Sequence, residues 1–152
     1  MKKKVHNKIF QHLEFRKPLG YLLARLYWRR CRYFEQELKS LGIGHGSLPF
    51  LMTIWEECSI TQNELSFFLE TDKANTARAV SKLVDIGYVQ RMRNPDDLRV
   101  NIVKLTEQGL NIMPKIENVI NSWNAILTSN MNEEEFKTVY SLLTDMNVNV
   151  CD

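Results

Sequence analysis

The run from Thr61 to Gly109 limits the fold more than any other part of the chain. Thr61-Gln62-Asn63-Glu64 is a helix-start signature, in which the threonine hydroxyl accepts from an early amide while Glu64 reaches back. Leu65, Phe68 and Leu69 mark the buried side of a short helix that ends near Leu69. Thr71 or Asp72 can cap the next helix, and Gly87 ends it. Tyr88 to Arg93 and Leu98 to Leu105 read as strands, with turn residues Asn94-Pro95-Asp96-Asp97 between them. Helix, turn, helix, hairpin is the order of a winged helix-turn-helix, a fold that offers one helix and one hairpin tip to duplex DNA.

The flanks read as helices. Val5, Ile9 and Leu13, with Phe10 beside them, predict a short amphipathic helix over 5–13. Pro18 can open another, whose stripe runs from Leu19 to Leu41 before Gly42, Gly44 and Gly46. Ser47 to Glu57 follows, with Pro49 in its first turn, and Ser59-Ile60 allows a minimal strand. Thr106 opens a long helix through Leu127, which Pro114 should kink. Asn132 with Glu135 starts the last helix, with stripe Phe136, Val139, Tyr140, Leu143 and Met146. The expected architecture is mainly α with a small β wing. It is a single domain over 1–152, with the winged helix-turn-helix at 47–105 between helices in 1–41 and 106–152. These flanking helices carry more apolar surface than a small winged domain can cover. A second subunit is the natural sink, which makes them N- and C-terminal dimerisation helices; an intramolecular bundle is the alternative.

Bulk properties exclude other classes. At 152 residues and 44% hydrophobic, the chain can bury a core and is not disordered. No apolar run approaches the ~20 residues of a membrane span. The lysines at 2–4 precede no apolar signal core, so a cytoplasmic protein is expected. Three scattered cysteines make no disulfide framework. The net charge of +2 hides an asymmetry: residues 1–39 hold eleven Lys/Arg against three Asp/Glu, and residues 73–104 hold seven against three. Two basic zones on a nearly neutral chain point to a polyanion partner. Phosphate loops, nucleophile elbows and His-Glu zinc motifs are absent from the sequence. No enzyme and no cofactor are expected. His6, His12 and His45 lack mutual metal-ligand spacing, which leaves a zinc-sensing regulator as a minor alternative.

On a wheel of 100° per residue, Ala77, Val80, Leu83 and Val84 form the core side of the helix from Lys73, with Thr76 beside them. Ala74, Asn75, Arg78, Ser81, Lys82 and Asp85 face away, and Ala79 lies on the border. Ala74 allows close approach to a base edge. Asn75 can pair with adenine and Arg78 with guanine, while Ser81 and Lys82 suit phosphates. In the wing, Asp97 and Arg99 project to one side, so the carboxylate can orient a guanidinium aimed at a minor groove. Arg91 and Arg93 on the other strand suit phosphates.

The residues Thr71 to Arg78, then Leu83, Gly87-Tyr88-Val89 and Arg91, and the run from Asp97-Leu98-Arg99 to Leu105-Thr106-Glu107-Gln108-Gly109, resemble the MarR (multiple antibiotic resistance) transcriptional regulators. The resemblance spans the whole element order. It implies an obligate homodimer held by first and last helices, repressing or activating from a pseudo-palindromic operator on double-stranded DNA. It implies contacts from Ala74, Asn75, Arg78, Ser81 and Lys82, beside Lys73 at the helix start, and a minor-groove Arg99 braced by Asp97. It also implies relief by a small aromatic or anionic effector. Arg16, Lys17, Tyr21, Arg25, His45 and Trp55 form a cationic and aromatic candidate set for it. Gly20 stands where peroxide-sensing members carry a cysteine, and Cys31 lies about three turns on. The sequence reading is a sequence-specific DNA-binding repressor. Its rivals are a winged helix used for protein–protein contact and a nonspecific architectural DNA binder.

Overall fold

The computed structural model describes residues 18–94, 97–98 and 100–150. The helix expected over 5–13, the candidate ligand residues Arg16 and Lys17, and the wing-tip Arg99 lie outside the described residues. The chain divides into two compact units, Met1–His45 and Gly46–Asp152.

The first unit holds helix α1, Leu19–Glu37, and a short 3-10 helix, Lys39–Leu41, which Gly42 closes at φ 69°. Phe34, Leu38 and Ile43 are buried, as is Cys31 at 3% exposure. The N-terminal half of α1 is different. Leu19, Tyr21, Leu22, Leu23, Leu26, Tyr27 and Trp28 are all exposed.

The second unit runs α2 (Leu48–Glu56), β1 (Ile60–Thr61), α3 (Gln62–Phe68), α4 (Lys73–Asp85), β2 (Val89–Arg93), β3 (Asn101–Leu105), α5 (Glu107–Leu127) and α6 (Glu133–Val150). Among the described residues the strands make one antiparallel sheet, ordered β1-β3-β2. The hairpin pairs Val89 with Leu105 and Arg91 with Val103, which turns all three apolar residues onto one face. Leu51, Ile54, Leu65, Val80, Leu83, Val89, Val103 and Ile116 are buried with almost no exposure, so α2 to α5 and the sheet enclose one core.

Local chemistry sets the element ends. Thr61 and Glu64 exchange hydrogen bonds of 3.1 and 2.9 Å, which satisfies two amides that have no partner inside α3. Asp72, not Thr71, caps α4 by accepting from the Asn75 amide at 2.8 Å. Gly87, at φ 84°, closes α4 with paired bonds from its own amide to Val84 and from Tyr88 to Leu83. Asn132 and Glu135 repeat the reciprocal cap at the start of α6, each bond 2.9 Å.

The α4–β2 turn meets α5 at a point that tolerates no side chain. Thr106 donates its hydroxyl to the Gly87 carbonyl at 2.6 Å and its amide to the Tyr88 carbonyl at 3.0 Å. A Cβ on Gly109 would lie 2.1 Å from that same Tyr88 oxygen. The Thr106 to Gly109 motif is thus the seat on which the long helix joins the winged module.

Three expectations need correction. Phe68 is 57% exposed and pairs edge-to-face with Phe67, whose ring centroid is 6.3 Å away. Ser66 takes the inward place because its hydroxyl has buried partners. The second wing strand begins at Asn101 and not at Leu98. The Val100 amide donates to the Asp97 carbonyl, and Val100 accepts from Asn94, so residues 97–100 turn. On α4 the buried face is rotated: Thr76, Ala79, Val80 and Leu83 are buried, while Ala77 and Val84 are half-buried.

Candidate nucleic-acid interface

Helix α4 carries its cations outward. Lys73, Ala74, Arg78 and Lys82 are exposed, while Asn75 and Ser81 are half-buried. Exposed residues four apart stand one above the other on a helix, so Ala74, Arg78 and Lys82 share a ridge. Thr71 accepts from the Asn75 side-chain amide at 2.9 Å, which fixes the orientation of that amide at the helix start.

The inner face of α4 is pinned. Ser66 Oγ donates to Thr76 Oγ1 at 2.8 Å within the core, and Thr76 donates to the Asp72 carbonyl at 3.1 Å. Both side chains are nearly inaccessible, so α3 holds α4 through a polar contact shielded from water. The helical period puts Thr76 beside the core side of α4 but does not identify Ser66 as its partner. A hydroxyl on the apolar side of a short helix was the available signal.

The wing is tied to α4 from the other side. Arg91 Nη2 donates to Ser81 Oγ at 2.7 Å. Arg93 Nη1 donates to the Leu98 carbonyl at 2.7 Å, closing the hairpin near its tip. In these contacts each guanidinium uses one of its five donors. Asp97 lies in the turn, its carbonyl held by the Val100 amide at 3.0 Å. Recognition-helix face and β2 arginines therefore belong to one hydrogen-bonded block.

The candidate ligand residues are not gathered in the same way. Tyr21, Arg25 and His45 belong to the first unit and Trp55 to the second. Arg25 lies 5.8 Å from the Tyr21 ring centroid, and His45 Nδ1 pairs with Glu35 at 2.6 Å. Trp55 lines a cleft at the C-terminal end of α2, with Lys104 and Gln90.

Among the described residues two groups have displaced proton equilibria. The Thr61 hydroxyl and amide hold the Glu64 carboxyl below its usual value. A hydrogen bond with Cys31 raises the Tyr27 hydroxyl, and the nearby Arg30 charge opposes it. Among the described residues no cluster of His, Cys, Asp and Glu could hold a metal, and no helix is long and apolar enough to cross a membrane.

Comparison with known proteins matches this geometry to one family. Residues 45–100 fit the MarR family model. The HTH-type transcriptional regulator BilQ of Clostridium symbiosum is 32% identical over 111 residues, covering 73% of this chain and 77% of BilQ. A MarR transcriptional regulator from Methanosarcina mazei superposes with TM-score 0.81 at 37% identity, covering 86% of this chain and 94% of that one. The chain belongs to the MarR family of transcriptional regulators. A further MarR-family structure, a cysteine-to-serine mutant of MarR from E. coli complexed with operator DNA, matches with TM-score 0.77 at 30% identity. It covers 85% of this chain and 93% of that one. The six described helices and the three-stranded sheet match the MarR winged-helix architecture, so the α-rich fold with its small wing stands.

Proposed function

We propose that this MarR-family chain binds double-stranded operator DNA sequence-specifically, as a homodimer on a pseudo-palindromic site, and represses transcription until a small aromatic or anionic ligand releases it. The observation that carries the reading is the Ala74, Arg78 and Lys82 ridge on a helix locked below by Ser66–Thr76 and sideways by Ser81–Arg91. A rigid helix with an outward arginine and small residues beside it suits a major groove. Lys73, Asn75, Ser81, Arg91 and Arg93 serve as further base or phosphate contacts, with Asp97 and Arg99 at the wing tip for the minor groove. The solved operator complex of E. coli MarR, similar in fold and sequence, supports it.

The dimer rests on apolar surface. Helix α6 has no buried residue over its whole length, although Phe136, Val139, Leu142 and Leu143 lie on it. Beyond Val119, α5 buries nothing either. The exposed leucines and aromatics of α1 complete the account. Such area, left in water, costs roughly 25 cal/mol per Å², so a partner subunit is the natural cover. Segments 1–41 and 106–152 then act as dimerisation helices, and 47–105 as the reading module. Two symmetric recognition helices would stand about 34–36 Å apart, one DNA turn. A cytoplasmic location accompanies this function. Arg16, Lys17, Tyr21, Arg25, His45 and Trp55 remain the candidate effector set.

The test is direct. Binding is measured to the duplex upstream of the chain's own gene and to a scrambled duplex, at two salt concentrations. Tighter binding to the native duplex, with a shared salt slope, is expected. Equal affinity for both would favour an architectural role. The exposed Phe67–Phe68 pair favours a protein-contact module as second reading, and absence of binding to either duplex would select it.

A further inference from the structure

The C-terminal end of α3 carries a surface that the DNA reading does not use. Phe67 is 82% exposed and Phe68 57%, their rings set edge to face. With Ser66, Glu70 and Thr71 they line a cleft of about 520 Å³. Among the described residues, no part of the α4 ridge or of the sheet lines it. Aromatic side chains bury roughly 150–250 Å² each when covered. Two such rings side by side in water mark a contact site, where a lone exposed ring would not.

Local structure explains why both rings point outward. Leu65 and Ser66 are buried and fix the inner side of α3. At helical period Phe67 and Phe68 fall on the outer side with Asn63 and Glu64, and all four are exposed. The helix closes on paired bonds, from the Glu70 amide to the Phe67 carbonyl at 3.1 Å and from the Thr71 amide to the Ser66 carbonyl at 3.0 Å. This closure puts Glu70 at φ 47°, in the left-handed region that glycine usually fills. A glutamate there carries a conformational cost, and its exposed side chain lines the cleft.

The electrostatics select the partner. Residues 40–72 hold five Asp/Glu and no Lys/Arg. Glu64 stands three residues before Phe67 and four before Phe68, the spacing of neighbours on one helix face. Glu70 has no ion-pair partner among the described residues. Asp72 follows at the cap of α4, and Lys73 beside it is the first cation. Such a rim repels phosphate backbones and anionic lipid surfaces. It also repels a second copy, because a twofold contact through this patch sets the same carboxylates against each other. Its complement is an apolar surface fringed with Lys and Arg. The cleft offers no strand edge, so recognition runs through side chains, as when an amphipathic helix lies in a groove.

We propose that Phe67 and Phe68, with Glu64 and Glu70 beside them, dock a cationic amphipathic helix of a second protein. Aliphatic side chains of that helix seat against the two rings, and its Lys and Arg residues meet the carboxylates. The proposal goes beyond the DNA reading and does not depend on it. It names the chemistry of the protein contact that the same aromatic pair favours.

The experiment uses the full chain and a two-faced leucine–lysine helix peptide, with its leucine–glutamate counterpart as control. Binding is followed by calorimetry and amide NMR. One lysine peptide per chain is expected, with shifts centred on residues 66–72 and no binding of the glutamate peptide. Phe67→Ser should weaken the lysine peptide about tenfold or more. Phe67 is 82% exposed, so this variant leaves the core intact. Glu70→Gly should also weaken the lysine peptide, while the thermal midpoint holds or rises because glycine relieves the left-handed backbone. Equal affinity for both peptides, no binding of the lysine peptide, shifts confined to α5 and α6, or unchanged affinity in either variant overturns the docking site. Operator affinity is measured separately on the same proteins, and Phe67→Ser should leave it unchanged. A parallel loss of operator binding would assign the pair to the DNA surface and overturn the proposal. A chain that binds operator but not the lysine peptide refutes the docking site alone, and one that binds the lysine peptide but no operator refutes the DNA reading alone.

Discussion

Arg91 and Ser81 lie ten residues apart and are joined by a 2.7 Å hydrogen bond from guanidinium to hydroxyl. That bond makes β2 and the recognition helix a single body. Its energetic signature is coupling, because either partner can be removed alone. Ser81→Ala and Arg91→Ala should each weaken operator binding. The double variant should lose about 1 kcal/mol less than the sum. A double-mutant cycle on operator affinity measures this, and strict additivity would show that the two residues act separately.

The Ser66–Thr76 contact makes a stability prediction. Thr76→Val keeps the shape and removes the hydroxyl. Ser66 retains its bond to the Gln62 carbonyl at 2.9 Å, so no group is left wholly unpaired. The cost should therefore be about 1 kcal/mol and not the full penalty of an orphaned polar atom. Urea unfolding would report it as a lower midpoint with an unchanged slope. A loss well above 3 kcal/mol would mean that the contact does more than join α3 to α4.

Gly109→Ala should be among the most damaging single-methyl changes in the chain. The added carbon would stand 2.1 Å from the Tyr88 carbonyl oxygen, a backbone atom that also accepts from Thr106. Neither side can swing away, so about 3 kcal/mol or more should be lost. A thermal midpoint unchanged in the alanine variant would refute this seat for α5.

Glu64 gives the pH dependence its sign. Its carboxyl is held below the ordinary value by the Thr61 hydroxyl and amide, so folding favours the charged form. The stabilisation is complete above the ordinary carboxylate range. It fades as pH falls through the lowered folded value. Because the group is exposed, the effect is small. Glu64→Gln should flatten the fall of the melting temperature between about pH 5 and 3, relative to the native chain. An identical slope in both proteins would remove the cap as its cause.

Arg78 is the side chain for base discrimination. Arg78→Ala should relax preference at one operator position by about 1–3 kcal/mol. Arg99→Ala should instead weaken binding most on A·T-rich flanks. Competition between native and single-base-changed duplexes separates the two. Unchanged discrimination in Arg78→Ala, or a flank-independent loss for Arg99→Ala, would reassign that residue to plain phosphate contact.

Most helix ends were legible because their causes are local. The Thr61–Glu64 box, the Asn132–Glu135 box and the Gly87 stop each depend on residues within a few positions. The outward cations of α4 followed from helical period alone. Phe68 was misplaced because a seven-residue helix spans barely two turns, too short for its apolar face to be read without its neighbours. The strand start slipped from Leu98 to Asn101 because alternation continues through a turn that hydrogen bonds to Asn94 and Asp97 define.

The candidate contacts of α4 were named from the sequence, but their bracing was not. The hydroxyl of Ser66 on the apolar side of α3 signals a buried partner without naming Thr76, and nothing local ties Arg91 to Ser81. A cleft lined by residues from Ile54 to Leu110 draws on segments far apart in the sequence, and among its lining only Trp55 belongs to the candidate ligand set that the sequence offers.

By itself the sequence determined the order of elements, their caps and the sign of charge on the recognition helix, because each of these is settled within one or two turns of chain. Tertiary structure alone decided which hydroxyl turns inward, which arginine is tied to the helix, and where a cleft opens beside Lys104. Those outcomes depend on distances between segments that no local pattern encodes: they arise only when helix and sheet close on one another and each polar group must find a partner or face water.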